Sequence, residues 1–195
     1  NAVLVNDIEV GDDWASIDAA AYAATFNGNG YAIKGLKAPL FNATAATIKG
    51  VHLKGVNITS AATTDLGALV NKYTGTSITH CSAEGKIKLS DATVTRASGL
   101  VGYIPHNASQ PFTMTDCVNN CKIDITLNAT SNLDFGGCLA RIGTDSNFNT
   151  TTDGFTFVNN TNNAPITIKG ISTVDVCGAG DRKSTRLNSS HESTS

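Results

Sequence analysis

The stretch "SITHCSAEGKIKLSDATVTRASGLVGYI" at residues 77–104 is followed by a second stretch of the same pattern, "FTMTDCVNNCKIDITLNATSNLDFGGCLARI" at residues 112–142. Each contains an apolar anchor, then two apolar residues separated by one polar residue, then a glycine patch. The apolar pairs are Ile87 with Leu89 and Ile123 with Ile125. Apolar residues at alternate positions have the period of a β-strand. The chain therefore contains a repeat whose unit is built from strands.

Two further copies of this unit are visible, one on each side. The apolar pairs of the four copies are Val56 with Ile58, Ile87 with Leu89, Ile123 with Ile125, and Ile166 with Ile168. The upstream anchors are Ile48, Ile78, Met114 and Phe157, and the glycine patches lie at 66–70, 98–103, 135–140 and 176–180. Successive copies are 31, 36 and 43 residues apart, so the segments between the anchors lengthen along the chain while the order of the anchors is kept.

Three short strands per copy, separated by turn residues, predict one turn of a coil that stacks on the next at roughly 4.8 Å. Such a coil has no core until its neighbours cover it. The sequence therefore predicts two apolar columns along the stack. One contains Val56, Ile87, Ile123 and Ile166, and the other contains Ile58, Leu89, Ile125 and Ile168. On the outer face, Lys88 is expected beside Asp124, an opposite-charge neighbour pair.

A family resemblance adds to this prediction. The runs "FNGNGYAIKGL" at 26–36, "PLF" at 39–41 and "ATIKGVHLKGVNI" at 46–58, followed by "GALV" and "GLVGY", resemble the GLUG-type repeat regions of bacterial surface proteins. The preceding "GDDWASID" at 11–18 is similar to the lead-in of such regions. The resemblance implies an all-β chain folded as a right-handed, pectate-lyase-like parallel β-helix, a solenoid of about four to six coils. In the later copies Cys121 and Ala164 depart from the pattern, since they replace the glycine seen at Gly85.

Three segments are expected along the chain. Residues 1–25 form a lead-in or cap, in which the alanine-rich "WASIDAAAYAATF" at 14–26 predicts either a short helix or part of a first coil. Residues 26–180 form the β-helix repeat domain, which is expected to be truncated at its C-terminal end. The first residue is Asn1 rather than Met, so we expect the chain to be a fragment of a longer protein.

The last segment, 181–195, is expected to be a disordered tail of artefactual origin. Its "DRKSTRLNSSH" at 181–191 has three basic residues and no apolar periodicity, and it is similar to the translation of a common sequencing adapter. Segments of this kind are excluded from fold reasoning.

Composition places the chain among extracellular all-β proteins. Without residues 181–195 it has 11 basic and 14 acidic residues, a net charge of −3, so a nucleic-acid partner is not expected. The hydrophobic fraction is 41%, which is ordinary for a folded domain, and there is no long apolar run to insert into a membrane. We expect a monomer at the bacterial cell surface or outside the cell.

The five cysteines do not predict a metal site, because they form no CxxC motif and no histidine follows at zinc-ligand spacing. No cofactor is predicted either. Cys81 and Cys117 occupy the same position of successive repeats, so they are expected to be neighbours in one column. They could form a disulfide in an exported protein, but buried thiols that fill the column are the favoured interpretation.

No catalytic residue is predicted. Asp12 and Asp13 would face opposite sides of a strand because they are adjacent. The remaining candidate acids and histidines fall at different repeat positions, and no histidine has a serine or cysteine partner at an interpretable spacing. These candidates are Asp116, Asp124, Asp134, Asp145, Asp153, His52, His80 and His106.

The function predicted from the sequence is therefore binding rather than catalysis. Two long excursions, at 104–113 and 141–155, carry aromatic and histidine side chains, namely Tyr103, His106, Phe112, Phe148 and Phe155. Loops projected from a rigid scaffold are where recognition is concentrated. The favoured hypothesis is a non-catalytic scaffold of a surface or secreted adhesin-like protein that binds a glycan or a host surface protein. The alternatives are a plain stalk, a fragment of a polysaccharide-active β-helix enzyme, and an accessory region of a surface protease.

Overall fold

The computed structural model describes residues 1–60, 65–92, 96–105, 111–127, 133–143, 154–169 and 176–179. Within these ranges the regular secondary structure is entirely β-strand. The strands are β1 Ala2–Val3, β2 Ile8–Glu9, β3 Ile17–Ala19, β4 Thr25–Asn27, β5 Ala32–Lys34, β6 Phe41–Thr44, β7 Thr47–Lys49, β8 His52–Ser60, β9 Asp65–Gly67, β10 Val70–Tyr73, β11 Ser77–Thr79, β12 Ser82–Ala92, β13 Arg96–Ser98, β14 Val101–Ile104, β15 Phe112–Thr115, β16 Val118–Leu127, β17 Leu133–Gly136, β18 Leu139–Ile142, β19 Phe155–Val158, β20 Thr161–Asn162, β21 Ile166–Lys169 and β22 Val176–Ala179.

These strands form four sheets in which every described pairing is parallel. Sheet A has the order β1-β4-β7-β11-β15-β19, and sheet B has the order β2-β5-β8-β12-β16-β20, with β21 also paired to β16. Sheet C has the order β18-β14-β10-β6-β3, and sheet D has the order β22-β17-β13-β9. The fold is therefore all-β and parallel, as the strand-period repeat predicts.

The chain visits the sheets in a fixed cycle. The first two passes run through sheets A, B and C, and from the third pass onward a strand of sheet D is inserted between sheets B and C. Each strand pairs with the strand one pass earlier and the strand one pass later. The repeat unit seen in the sequence is therefore one pass through the sheets.

The register of the last three repeat copies agrees with the sequence alignment. Ile87 pairs with Ile123 and Ile123 with Ile166, while Leu89 pairs with Ile125 and Ile125 with Ile168. Lys88 lies opposite Asp124 as expected. The Asp124 carboxylate, however, forms an ion pair with Lys122 on the same strand, at 2.9 Å.

The first copy is displaced by two residues from the predicted columns. Ile87 pairs with Ile58 rather than with Val56, and Val56 lies opposite Gly85. One residue of this displacement is already present at the start of β8, where His52 pairs with Ser82 at an offset of 30 rather than 31 residues. The other comes from an irregularity in β8, where one extra residue is accommodated beside Gly55, which has a φ of 60°. A shift by two residues keeps every side chain on its own face, so Val56 is still buried. The apolar period could not reveal it for the same reason.

The hydrophobic core is formed by buried residues of strands β5 to β17 and of the turns between them. It includes Ile48, Ile78 and Met114 from sheet A and Ile58, Ile87 and Ile123 from sheet B. Tyr73 is also buried, and burial raises the pKa of its phenol. The Tyr73 hydroxyl lies 2.8 Å from the Ala46 and Ser77 carbonyl oxygens, so it is satisfied inside the core.

The lead-in contributes a first pass of strands rather than a helix. Ala2 pairs with Phe26, Ile8 with Ile33 and Ile17 with Phe41. Pairing with the next pass outweighs the helix propensity of the alanines: the Ile17 N–H, for example, donates a hydrogen bond to the Leu40 carbonyl at 3.0 Å. The described residues contain no helix of the kind that could cross a membrane. The predicted tail at 181–195 lies outside the described residues.

A mild core truncation tests this packing. Ile87→Val is expected to lower the free energy of unfolding by about 1 kcal/mol, because one methyl group leaves a fully buried site. Lys86→Ala, its exposed neighbour, is expected to change stability by less than about 0.5 kcal/mol. Urea unfolding followed by circular dichroism measures both variants. Equal effects would mean that the inward and outward faces of β12 are assigned wrongly.

Candidate binding surface

Sheets D and C meet at a sharp corner in the third, fourth and fifth passes. In each of these passes a strand of sheet D is followed after two residues by a strand of sheet C, as in β13 and β14. Glycines allow the backbones of the two sheets to approach closely at this corner. A Cβ placed on Gly67 would lie 2.4 Å from the Leu100 carbonyl oxygen, and one on Gly102 would lie 2.7 Å from the Leu66 nitrogen.

Four charged side chains and one tyrosine from the two sheets contact one another beside this corner, and we call them the charged seam: Asp65, Arg96 and Asp134 from sheet D, and Tyr103 and Arg141 from sheet C. The sheet D members pair in register in three successive passes. Arg96 Nη1 lies 2.7 Å from Asp65 Oδ1, and Arg141 Nη1 lies 2.8 Å from Asp134 Oδ2. The Arg96 guanidinium also lies over the Tyr103 ring, 4.0 Å from its centroid. The seam thus alternates in sign along the stack and links the two sheets.

The strands that carry the seam border segments that the structure does not describe. The sheet D strands begin just after 61–64, 93–95 and 128–132, and the sheet C strands β14 and β18 end just before 106–110 and 144–153. All five of these ranges lie outside the described residues, and with them His106, Phe148, Asp145 and Asp153. The binding role of the long loops therefore stays a prediction from the sequence.

The aromatic residues predicted for binding separate into different environments. Tyr103 is in the seam, whereas Phe112 is buried and packs on Tyr73 and Phe155 at centroid distances of 5.6 and 6.5 Å. Phe112 is therefore a core residue, because its position at the start of β15 points inward with Met114 two residues later. Tyr103 is the predicted residue that the structure places among charged partners.

The arrangement can hold a polar ligand by ion pairs and hydrogen bonds, and its own ion pairs also fix the ends of the strands. Asp65 and Arg96 keep only 14% and 15% of their side-chain surface exposed, so their interaction is weakly screened. Sequence analysis missed this set because Arg96 and Arg141 carry no motif. The available signal was the spacing, since Asp65, Arg96 and Asp134 occupy equivalent positions ahead of successive glycine patches.

A double-mutant cycle tests the seam. Asp65→Ala, Arg96→Ala and the double variant are expected to give a coupling free energy of about 1.5 kcal/mol. The matched control is the pair Lys37 and Asp12, whose atoms lie 3.4 Å apart but whose Asp12 side chain is 94% exposed. Its coupling is expected to stay below about 0.5 kcal/mol. Chemical denaturation of the six variants and the parent chain measures both values, and equal couplings would argue against a shielded seam.

A second polar row lies on the corner between sheets A and B. Gly50, His80, Asp116 and Asn159 occupy equivalent positions in four passes, with φ values of 59°, 53°, 56° and 56°. Asn159 Nδ2 donates to Asp116 Oδ1 at 3.1 Å, and His80 Nε2 lies 3.5 Å from Asp116 Oδ2. The expectation that His80 and Asp116 fall at unrelated positions is therefore wrong. The row is explained by the left-handed turn, which Gly, Asn and Asp tolerate best.

His52 also has a serine partner that sequence analysis did not find. His52 Nδ1 lies 2.8 Å from Ser82 Oγ on the neighbouring strand. Their separation of 30 residues equals that of the anchors Ile48 and Ile78, which was the signal available in the sequence. Both residues lie on the partly exposed face of sheet B, where a cross-strand polar pair of this kind stabilises a sheet. We assign it no catalytic role.

The cysteines of the described core are thiols. Cys81 and Cys117 lie one above the other as predicted and are buried, and no disulfide joins them. Cys121 is buried at another position, and burial raises its pKa to about 12. In the part of the chain that the structure describes, no three His, Cys, Asp or Glu side chains are grouped so as to hold a metal ion.

Comparison with known proteins gives one family match. Residues 21–85 match the model of the M26 IgA1-specific metallo-endopeptidase N-terminal region. This range covers the stretch at 26–58 on which the resemblance to GLUG-type repeats depends, and the matched model is that of the peptidase region. No curated protein and no solved structure matches the chain.

Proposed function

We propose that this chain is a non-catalytic segment of right-handed parallel β-helix that belongs to a secreted or cell-surface bacterial metallopeptidase. The cyclic order of the sheets and their parallel pairing support a β-helix, because each pass covers the apolar edge of the pass before it. The right-handed course follows the resemblance to GLUG-type and pectate-lyase-like repeats.

The match at residues 21–85 is the observation that carries this proposal. It spans strands β4 to β11 and part of β12, so it coincides with the regular passes of the stack. It favours the accessory region of a surface protease over the adhesin-like scaffold. The name of the matched model refers to a metallo-endopeptidase specific for IgA1 and to its N-terminal region, which is where a segment without catalytic groups belongs in such a protein.

Within this proposal the segment positions a binding surface. The charged seam contains arginine, aspartate and tyrosine side chains, and these groups suit a polar protein or glycan surface. Loops of different length in each pass can change without loss of the stack, because the strands between them carry the packing. The segment would therefore hold a macromolecular substrate while the catalytic residues lie elsewhere in the longer protein.

Long-read sequencing of the source DNA across this locus tests the link to a peptidase. We expect one reading frame that contains these passes and, further on, an HExxH zinc motif with a third ligand. The frame should continue beyond Gly180 without the "DRKSTRLNSSH" stretch. A frame that leads instead into a polysaccharide-cleaving constellation, or into a surface anchor with no peptidase, would overturn the proposal.

An activity assay tests the non-catalytic role directly. The purified chain is incubated with IgA1 and with a general peptide substrate, in zinc-containing buffer, beside a known zinc endopeptidase as the positive control. We expect no cleavage by the chain and retention of IgA1 on the immobilised chain. Retention should fall when Arg96 and Arg141 are both replaced by glutamine. Cleavage by the chain alone would contradict the assignment, and retention unchanged by the double variant would exclude the seam as the contact surface.

A further inference from the structure

Cys81 and Cys117 form a stacked pair of thiols in the interior, and the function proposed above makes no use of them. The backbone places them in direct succession, since Val118 N–H donates to the Cys81 carbonyl at 2.9 Å and Thr161 N–H donates to the Cys117 carbonyl at 2.9 Å. On either side the register is unbroken, with Thr79 opposite Thr115 and Ser82 opposite Val118. Both side chains point into the core and are at most 1% exposed.

The spacing of the pair suits a covalent bond. Neighbouring strands lie about 4.8 Å apart, which falls within the Cα separations of about 4.4 to 6.8 Å that disulfides span. Each sulfur contacts the backbone of its own pass, from Cys81 Sγ to Thr79 O at 3.3 Å and from Cys117 Sγ to Thr115 O at 3.3 Å.

We propose that Cys81 and Cys117 are an oxidation site at which a disulfide joins the fourth and fifth passes of the stack. The bond would close a loop of 36 residues and fix the axial contact between the two passes in the middle of the described stack. A secreted or surface protein meets the oxidising conditions under which such bonds form.

The chemistry requires a small-molecule disulfide, such as oxidised glutathione, as the oxidant. The thiolate of one of the two cysteines attacks one sulfur of the oxidant and releases one thiol, and the sulfur of the other cysteine then displaces the second thiol from the mixed disulfide. The two protein thiols lose two hydrogens in all, and the oxidant becomes two thiols. Because both sulfurs are buried in the finished stack, the reaction takes place while the passes assemble.

The other two described cysteines are less suited to the bond. Cys121 lies opposite Gly85 in the preceding pass, so it has no thiol there to meet. Cys138 lies in the turn between sheets D and C rather than in the column of Cys81 and Cys117, with its sulfur 3.8 Å from the Cys117 carbonyl oxygen and 3.3 Å from the Thr161 carbonyl oxygen.

Refolding in a defined redox buffer tests the proposal and supplies its own oxidant, so the result does not depend on the peptidase link. The reduced, unfolded chain is refolded with a mixture of reduced and oxidised glutathione, remaining thiols are alkylated, and the product is digested and mapped by fragmentation mass spectrometry. We expect a cross-linked peptide joining Cys81 to Cys117 with the loss of two hydrogens. The melting temperature should exceed that of the reduced chain by roughly 10 °C.

Three variants make the assignment specific. Cys81→Ala and Cys117→Ala should abolish the cross-link and the redox-dependent melting shift, whereas Cys121→Ala should keep both. If an alanine variant does not fold, the fragmentation map of the parent chain still decides the pairing. Full alkylation of Cys81 and Cys117 after oxidative refolding, or a cross-link from either residue to another cysteine, would overturn the proposal.

Discussion

Gly85→Ala is expected to lower the free energy of unfolding by about 4 kcal/mol, because two penalties combine at this position. A Cβ at residue 85 would lie 2.1 Å from the Val56 carbonyl oxygen and 2.7 Å from the Val56 nitrogen. These are backbone atoms of the neighbouring strand, so no side-chain rotation relieves the collision. The φ of 135° adds strain for any residue with a side chain. Urea unfolding gives the loss, and hydrogen exchange of β8 and β12 amides locates it.

Gly30→Ala is the matched control for the backbone conformation. Gly30 has a φ of 80°, but a Cβ there would have no atom within 4 Å. Its replacement is expected to cost about 1 kcal/mol, from the left-handed conformation alone. If both alanine variants lose the same stability, the contact with Val56 is not what requires glycine at residue 85, and the irregular register of β8 and β12 is wrong.

Asn119→Leu is the second large effect, with an expected loss of about 4 kcal/mol. Asn119 is completely buried. Its Oδ1 accepts from the Cys121 N–H at 2.9 Å, and its Nδ2 donates to the Cys121 carbonyl at 3.2 Å and to Asn162 Oδ1 at 2.7 Å. Leucine has a similar volume, but it cannot replace the hydrogen bonds that the Asn119 amide makes with the Cys121 backbone and with Asn162. The cost comes from burying polar groups that have lost a partner.

Asn120→Leu is the control, because Asn120 is the adjacent residue on the exposed face. It loses a hydrogen bond from Asn163 at 3.0 Å, which water can replace, so the expected change is below about 0.5 kcal/mol. Denaturant midpoints of the two leucine variants provide the comparison. A tolerated leucine at residue 119 would show that the interior accepts an apolar residue there, as it does at Ala83 one pass earlier.

Asn119 illustrates a limit of the sequence pattern. The equivalent residues in the two preceding passes are Leu53 and Ala83, so the interior column changes from apolar to amide between the fourth and fifth passes. Hydrophobic period alone places an asparagine at a turn or on the surface. The Asn119 side chain fits in the interior because Gly99 lies against it. A Cβ on Gly99 would come within 2.0 Å of the Asn119 side chain.

The sequence by itself determined the repeat, the strand period and most of the register. Alternating apolar residues specify which face is buried, and anchors at equal offsets specify which strands pair, so the intervals of 36 and 43 residues match the structure. The same offsets determined that Cys81 lies over Cys117. These properties depend only on the order and spacing of residues along the chain, which the sequence itself contains.

The tertiary structure decided what depends on two distant segments meeting. It shifted Val56 by two residues from its expected register, made Phe112 a core residue, and turned the alanine-rich lead-in into a first pass of strands. It also assembled the charged seam across the corner of sheets D and C. The contact between Arg96 and Tyr103 cannot be predicted from either residue alone. It forms only because the glycines at the corner bring sheets D and C together.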